Sequence, residues 1–168
     1  VKTYWSLFSR QVYATFDWGI RDADGYYFIL GRTDDVINVA GHRLGTREIE
    51  ESISSYPNVA EVAVVGVKDA LKGQVAVAFV IPKQSDSLDD RDVAHSEKEA
   101  IMALVDSQIG NFGRPANVWF VSQLPKTRSG KMLRRTIQAI CEGRDPGDLT
   151  TLDDPAALQQ IRQAIEAG

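Results

Sequence analysis

Two valine-rich runs separated by a short polar turn restrict the fold of this chain more than any other feature. Val59 to Val67 and Gln74 to Ile81 are too short for typical helices and contain β-branched residues throughout. We interpret both runs as strands that are buried on at least one face. They therefore predict the centre of a sheet, which the helices encoded on either side must cover.

Four stretches around these runs show helical patterns. The first follows a predicted N-cap at Thr46 and has Ile49, Ile53 and Tyr56 on one face, and the second begins at a capping box of Ser96 and Glu99. The third runs from Met132 to Cys141, and the last is an amphipathic helix that Asp154-Pro155 caps. Val118 to Val121 reads as a third strand. This pattern predicts an α+β domain with a roughly three-stranded sheet.

The first part of the chain favours strands and turns. Gln11 to Phe16 is predicted as a strand, and Asp24-Gly25 is a strong hairpin signal between Ile20–Asp22 and Tyr26–Leu30. A second hairpin is expected from Val36 to Leu44, with Gly41 in its turn.

The polar stretch from Gly31 to Asp35 lies between the two predicted hairpins, and we interpret it as a domain boundary. The predicted organisation is residues 1–33 as the end of a preceding domain and residues 34–142 as a second domain. Residues 143–168 would form a linker and a terminal helix.

Composition and charge exclude several classes of protein. With 43% hydrophobic and 25% charged residues the chain is typical of globular proteins, and no apolar run approaches the ~20 residues that a membrane span needs. The net charge of −4 argues against a nucleic-acid surface. The single cysteine, Cys141, cannot form an intrachain disulfide, so we expect a cytoplasmic protein, and no spacing typical of a metal site is present. A start without Met and without a secretory pattern suggests a fragment.

The stretch from Pro125 to Arg135, PKTRSGKMLRR, carries five cations on a loop that leads into a helix. Lys131 lies at the junction, where a compact ammonium with three donors could meet a phosphate or carboxylate oxygen. The alternative is an ordinary solvated basic turn. On its own this loop predicts a binding site for a small anion.

Three separated motifs occur in one order: YATFDWG (Tyr13 to Gly19), GRTDDVINVAGHRLGTREIEE (Gly31 to Glu51) and PKTRSGK (Pro125 to Lys131). Together they resemble the C-terminal third of the acyl-CoA synthetases. The sequences of the second and third motifs are most similar to those of the AMP-forming acetyl-CoA and propionyl-CoA synthetases, with the propionate-CoA ligases favoured. The last helix is not placed by this resemblance.

The resemblance implies two half-reactions in one site between a large and a small domain. A short-chain carboxylate attacks ATP, with Mg²⁺ present, to give acyl-AMP and pyrophosphate, and the thiol of CoA then takes the acyl group. The family's small domain rotates against its own N-terminal domain between these steps, because each step needs different groups beside the same carbonyl. This chain would be the small domain and would be inactive alone.

The resemblance also implies roles for residues near the predicted boundary. Asp17 matches an aspartate that accepts hydrogen bonds from the AMP ribose, although Phe16 stands where the family has a glycine. Arg32 matches an arginine that contacts ribose or phosphate, and Asp34 matches the hinge. The alternatives are an ordinary turn-forming aspartate at position 17 and a solvated loop acid at position 34.

Further matches lie in the second hairpin and the lysine loop. Gly41 would let the pantetheine arm of CoA pass close to the backbone, and Arg43 would reach a phosphate, whereas His42 is expected to pack or cap. Lys131 matches the catalytic lysine, whose exposed loop would admit a lysine acetyltransferase and a deacylase. Lys126 is the competing candidate, but the functional cation of the family follows Ser-Gly.

One departure concerns the CoA 3′-phosphate. Acetyl-CoA synthetases have an arginine where this chain has Asp106, so Arg114 or Lys72 would have to substitute for it. Two other functions stay open: an adenylation domain that loads a carrier-protein thiol, and a stand-alone module that binds phosphate or CoA.

Overall fold

The computed structural model describes residues 12–33, 35–84 and 91–167. The predicted hinge, Asp34, lies outside these residues. The chain divides between Val36 and Ile37 into two compact units. The first unit holds a two-stranded sheet and the second holds a five-stranded sheet with its helices.

The described residues form seven strands and four helices. In chain order they are β1 (Asp17–Arg21), β2 (Tyr27–Arg32), β3 (Val36–Val39), β4 (His42–Gly45), α1 (Thr46–Ser54), β5 (Val59–Asp69), β6 (Gly73–Pro82), α2 (Arg91–Gln108), β7 (Asn117–Phe120), α3 (Arg134–Cys141) and α4 (Ala156–Ala167). Both predicted hairpins, the three predicted strands of the sheet and the α+β fold class are confirmed.

In the first unit, β1 and β2 pair antiparallel around the turn that contains Gly25. The predicted strand from Gln11 to Phe16 is wrong over residues 12–16, and Gln11 lies outside the described residues. Phe16 has φ 64°, a left-handed conformation that lies outside the β region of a regular strand. Four consecutive apolar or aromatic side chains, Tyr26 to Ile29, are each more than half exposed, a pattern typical of a surface that meets a partner.

The sheet of the second unit confirms the interpretation of the valine-rich runs. β5 and β6 pair antiparallel along their length, from Val59↔Pro82 to Asp69↔Gly73. On its other edge β6 pairs with β3 near Gly73 and, further along, with β7 in parallel from Val77 to Val80. β6 is therefore the central strand, and the two elements on that edge lie one after the other along it.

Alternate residues of β5 and β6 point to opposite sides of the sheet, so both of its faces are apolar. Helices cover each face. Ile49 and Ile53 of α1 pack with Ile101 and Val105 of α2 against one face, in a cluster that includes Val64. On the other face the buried cluster consists of Ala63, Val65, Val77, Phe79, Val121, Leu124, Ile137 of α3 and Ile161 of α4. The terminal helix is thus part of the core of the second unit.

Two predicted helix starts are wrong in the first half of this unit. Thr46 is the first residue of α1 and Gly45 is its N-cap, which supplies no side-chain hydrogen bond. α2 begins at Arg91 and not at Ser96, because the polar residues before the capping box are also helical. Asp92 in the first turn of α2 is favourable there, since the helix dipole attracts a negative charge to its N-terminus.

The start of α3 also differs from the prediction. This helix begins at Arg134 and not at Met132, because Met132 pairs with Lys126 as a β-bridge. The predicted cap of α4 is confirmed, since the Asp154 carboxylate accepts a hydrogen bond from the Ala156 N–H at 2.8 Å.

A largely buried ion pair connects the two helical layers through β5. The Glu50 carboxylate, 12% exposed, accepts hydrogen bonds from Arg134 at 2.8 and 3.1 Å and from the Val64 N–H at 2.9 Å. We expect Arg134→Leu to lower the free energy of unfolding by about 2–3 kcal/mol, because it leaves a desolvated carboxylate without its cation.

Urea unfolding measures this effect, and Arg128→Leu on the exposed part of the lysine loop is the matched control. The double variant Glu50→Leu with Arg134→Leu should recover most of the loss, since it removes both charges. A double variant no more stable than Arg134→Leu alone would contradict this account of the pair.

Candidate active site

The lysine loop is a closed turn with its own hydrogen bonds. The Thr127 N–H donates to the Lys131 carbonyl at 2.8 Å, and the Lys131 N–H donates back to the Thr127 Oγ1 at 3.0 Å. Gly130 closes the turn through its N–H to the Thr127 carbonyl at 2.8 Å, and it has φ 81°. The backbone of Lys131 is therefore fixed by Thr127, and the loop is more regular than its sequence predicts.

The cations near this turn differ in what they contact. The Lys126 ammonium pairs with Glu61 of β5 at 2.6 Å, and Arg134 is bound to Glu50. Lys131 is exposed, and its ammonium forms no ion pair or hydrogen bond with any residue that the structure describes. Of the two candidate lysines, Lys131 is the one whose charge no carboxylate of the described chain neutralises.

The two ribose candidates lie together in the first unit. Asp17 and Arg32 occupy paired positions on β1 and β2, and the Arg32 Nη1 lies 3.9 Å from the Asp17 Oδ1. Both side chains are partly exposed. Phe16, just before the aspartate, has a positive φ that glycine adopts at little cost. Phe16 therefore has a left-handed backbone conformation that is uncommon for a residue other than glycine.

The second hairpin presents its turn without side-chain cover. Ala40 and Gly41 form the two-residue turn between β3 and β4 with φ of 50° and 89°, so both central residues are left-handed. A Cβ at Gly41 would meet no atom within 4 Å. Arg43 is exposed on β4. His42 stacks on Phe112 with ring centroids 4.7 Å apart, which confirms its predicted packing role.

These two candidate regions lie at opposite ends of the central strand. The hairpin joins β6 at its first residues, through Val39↔Gly73 and the Ala40 N–H to the Lys72 carbonyl at 2.9 Å. The lysine loop is fixed at the other end, because Lys126 pairs with Glu61, which lies opposite Ile81. Ile81 is eight residues after Gly73 on β6, a distance of about 27 Å at the rise of an antiparallel strand.

A cavity of about 370 Å³ lies beside the hairpin and is lined by both candidate substitutes for the CoA phosphate anchor, Lys72 and Arg114. Arg114 also pairs with Glu99 at 3.0 Å, and Phe112 lines the same cavity. Asp106 is not among the residues that line it. The structure thus brings together the two cations that the sequence could only name separately.

The single thiol of the chain is not suited to nucleophilic chemistry. Burial raises the pKa of Cys141 to about 11, so the thiolate is scarce near neutral pH. Among the described residues, no group of three or more histidine, cysteine or acidic side chains could hold a metal ion. None of the helices within the described ranges is long and apolar enough to cross a membrane.

Sequence reasoning missed the carboxylates that distinguish the cations of the loop. Glu61 lies 65 residues before Lys126, and no local pattern connects them. It also missed the contact between the segment after α3 and the lysine loop, where Thr127 pairs with Leu152.

Comparison with known proteins yields a family and close relatives. The chain is 92% identical to a propionate-CoA ligase of Escherichia coli (strain K12) over 99% of the chain, and 48% identical to an acetyl-coenzyme A synthetase of Pyrobaculum aerophilum over the same share. It spans about a quarter of the length of these relatives, 26% and 24%. The crystal structure of ATP-bound MatB from Rhodopseudomonas palustris matches with a TM-score of 0.63 and 31% identity, over 80% of this chain and 26% of that one.

The family model for the AMP-binding enzyme C-terminal domain matches residues 48–131, which is half of the chain. The matched region runs from the first turn of α1 to Lys131 and includes β5, β6, α2 and β7. This chain therefore belongs to the family of AMP-binding enzyme C-terminal domains.

Proposed function

We propose that this chain is the C-terminal part of an AMP-forming short-chain acyl-CoA synthetase that activates propionate, with acetate as the next candidate. Propionate attacks the α-phosphorus of ATP to give propionyl-AMP and pyrophosphate. The CoA thiol then attacks the carbonyl, forms the thioester and releases AMP. The 92% identity to a protein named propionate-CoA ligase supports this choice of acid.

The observation that carries the proposal is the separation of the two candidate regions on one unit. The hairpin of Gly41 joins β6 at Gly73 and the lysine loop is fixed beside Ile81, so the two regions belong to strand ends about 27 Å apart by strand rise. They cannot both lie beside one carbonyl. A domain that presents its lysine loop to the first step and its hairpin to the second must therefore turn between them.

The remaining site residues have roles that fit this cycle. Asp17 accepts hydrogen bonds from the ribose hydroxyls of AMP, and Arg32 contacts ribose or phosphate. Asp34, which follows β2 and precedes β3 in the sequence, is the hinge that absorbs the rotation. The exposed apolar side chains from Tyr26 to Ile29 are suited to packing against a preceding N-terminal domain.

The groups that the reaction needs are divided between this chain and that domain. The domain organisation is residues 1–33 with the preceding domain, 34–142 as the mobile domain and 143–168 as its extension. CoA is bound on the hairpin side, where Lys72 and Arg43 supply positive charge and Arg114, paired with Glu99, lines the same cavity as Lys72. ATP and Mg²⁺ are bound mainly by the preceding domain.

Two further proposals concern the setting of the enzyme. Lys131 is exposed, so a lysine acetyltransferase and a deacylase could act on it, and acetylation would remove its charge. A cytoplasmic location fits the acid, ATP and CoA that the reaction consumes.

The test is propionate-dependent exchange of pyrophosphate into ATP by the full-length protein, followed by thioester formation with CoA. We expect exchange with propionate to exceed exchange with acetate. A product found only on a pantetheinylated carrier protein, and not on CoA, would favour the carrier-loading alternative.

The 168-residue chain alone is expected to give no exchange above a blank without enzyme. The reason is that the chain spans about a quarter of the length of its relatives, and the preceding domain is proposed to bind most of the ATP and Mg²⁺. Measurable acid-dependent exchange by the purified chain would contradict the proposed division of the site.

A further inference from the structure

The segment between α3 and α4 returns to the lysine loop and pairs with it. Thr127 and Leu152 form an antiparallel bridge, the Arg128 N–H donates to the Thr151 carbonyl at 3.2 Å, and the Asp153 N–H donates to the Lys126 carbonyl at 2.9 Å. The arm from Lys126 to Arg128 therefore has Lys131 and Met132 on one side and residues 151–153 on the other.

The returning segment is itself held in place. Leu152 is buried at 6% exposure and its N–H donates to the Leu149 carbonyl at 3.0 Å. Gln160 of α4 reaches the residues that lead to the loop. Its Oε1 accepts from the Ser122 N–H at 2.8 Å, the Ser122 Oγ at 2.7 Å and the Gln123 N–H at 3.2 Å.

These contacts bear on where Lys131 can place its charge. The backbone of Lys131 is tied to Thr127, and a short two-stranded turn of this kind is marginally stable by itself. A third paired segment fixes the arm that carries Thr127. An electrostatic contribution to a transition state depends strongly on such placement, and a displacement of about 1 Å can cost on the order of a hundredfold in rate.

We propose that residues 151–153, together with Gln160, position Lys131 for adenylate formation. This inference rests on the proposed function and adds to it a role for the chain beyond the matched family region, which ends at Lys131. These residues do not touch the reacting groups. They act through the Lys126–Arg128 arm, so their loss should affect the lysine-dependent step and leave the thiol step intact.

The test compares Asp153→Pro with Asp153→Ala in the full-length protein. Proline removes the N–H that donates to Lys126, and Leu152 before it already pairs as an extended residue, which a following proline favours. Alanine keeps that N–H. We expect Asp153→Pro to lower kcat for pyrophosphate exchange about 10- to 100-fold without changing thioester formation from supplied propionyl-AMP. Asp153→Ala should leave both rates unchanged.

Two substitutions of Gln160 test the same inference if the proline variant does not fold. Gln160→Ala removes the acceptor of three hydrogen bonds, and Gln160→Glu retains an acceptor oxygen at the same place. We expect Gln160→Ala to slow exchange several-fold and Gln160→Glu to restore it. Equal losses from the two substitutions, or equal losses in both half-reactions, would overturn the inference.

Combination with Lys131→Ala separates positioning from general damage. If residues 151–153 act through Lys131, Asp153→Pro should have little further effect on exchange once the lysine is gone. The same fold loss in both backgrounds would show that the segment acts independently of Lys131 and would overturn the inference. An unmodified full-length protein without any exchange activity would instead overturn the proposed function itself.

Discussion

Replacing Lys131 with alanine in the full-length protein is expected to lower the rate of adenylate formation about a thousandfold. An anionic carboxylate must approach an anionic phosphate, and the exposed ammonium of Lys131 can reduce this repulsion as the transition state forms. One unit charge at about 4 Å, at an effective dielectric constant near 20, contributes about 4 kcal/mol, or roughly three decades in rate. Pyrophosphate exchange with propionate measures the step.

Lys126→Ala is the informative comparison, because Lys126 lies in the same motif but pairs with Glu61. Its removal should lower adenylation far less than Lys131→Ala, because the arm keeps its backbone hydrogen bonds to Lys131 and to residues 151–153. A larger loss of adenylation from Lys126→Ala than from Lys131→Ala would mean that the lysines are wrongly assigned.

Replacing Gly41 with leucine is expected to lower thioester formation at least about a hundredfold while sparing adenylation. The hairpin turn has open space where a Cβ at this position would point, and we propose that the pantetheine arm of CoA passes there. A branched side chain would fill that path and displace the thiol from the carbonyl. Thioester formation from supplied propionyl-AMP and CoA is the measurement.

Backbone strain must be separated from blockage at this position, because Gly41 has φ 89°. Any side chain with a Cβ costs about 1–2 kcal/mol in this conformation. Gly41→Ala introduces the same strain with a smaller side chain, so a blocked path predicts a much smaller loss than for leucine. Equal losses from alanine and leucine would indicate strain and would contradict the proposed path.

Local patterns predicted the parts of the fold whose partners are near in sequence. The valine-rich runs and the Asp24-Gly25 and Ala40-Gly41 turns all lie where the sequence indicates. Helix starts were less predictable. The capping box of Ser96 and Glu99 lies inside α2, because polar residues before it continue the helix without changing the apolar stripe.

Long-range contacts explain most of the remaining differences. Periodicity predicts that Met132 is helical, but Met132 forms a β-bridge with Lys126, and α3 begins at Arg134. Residues 143–153 read as a linker because they are rich in glycine, aspartate and threonine. Their pairing with the lysine loop depends on the return of α4 to the sheet, which local sequence does not reveal.

The candidate site shows the same division. The motif order identified Lys131, Gly41, Asp17 and Arg32 as a set, and the structure pairs Asp17 with Arg32. The reason to prefer Lys131 over Lys126 beyond the motif itself is Glu61, which lies 65 residues away. Phe16 stands in the place of a glycine, and its φ of 64° is a left-handed conformation that glycine adopts at little cost.

We propose that one compact unit serves both steps from opposite ends of its sheet. The most direct measurement is both half-reaction rates for Lys131→Ala and Gly41→Leu in the full-length protein. We expect a crossed pattern, in which Lys131→Ala loses adenylation and keeps thioester formation from supplied propionyl-AMP, while Gly41→Leu does the reverse. Parallel losses of both half-reactions in both variants would contradict it.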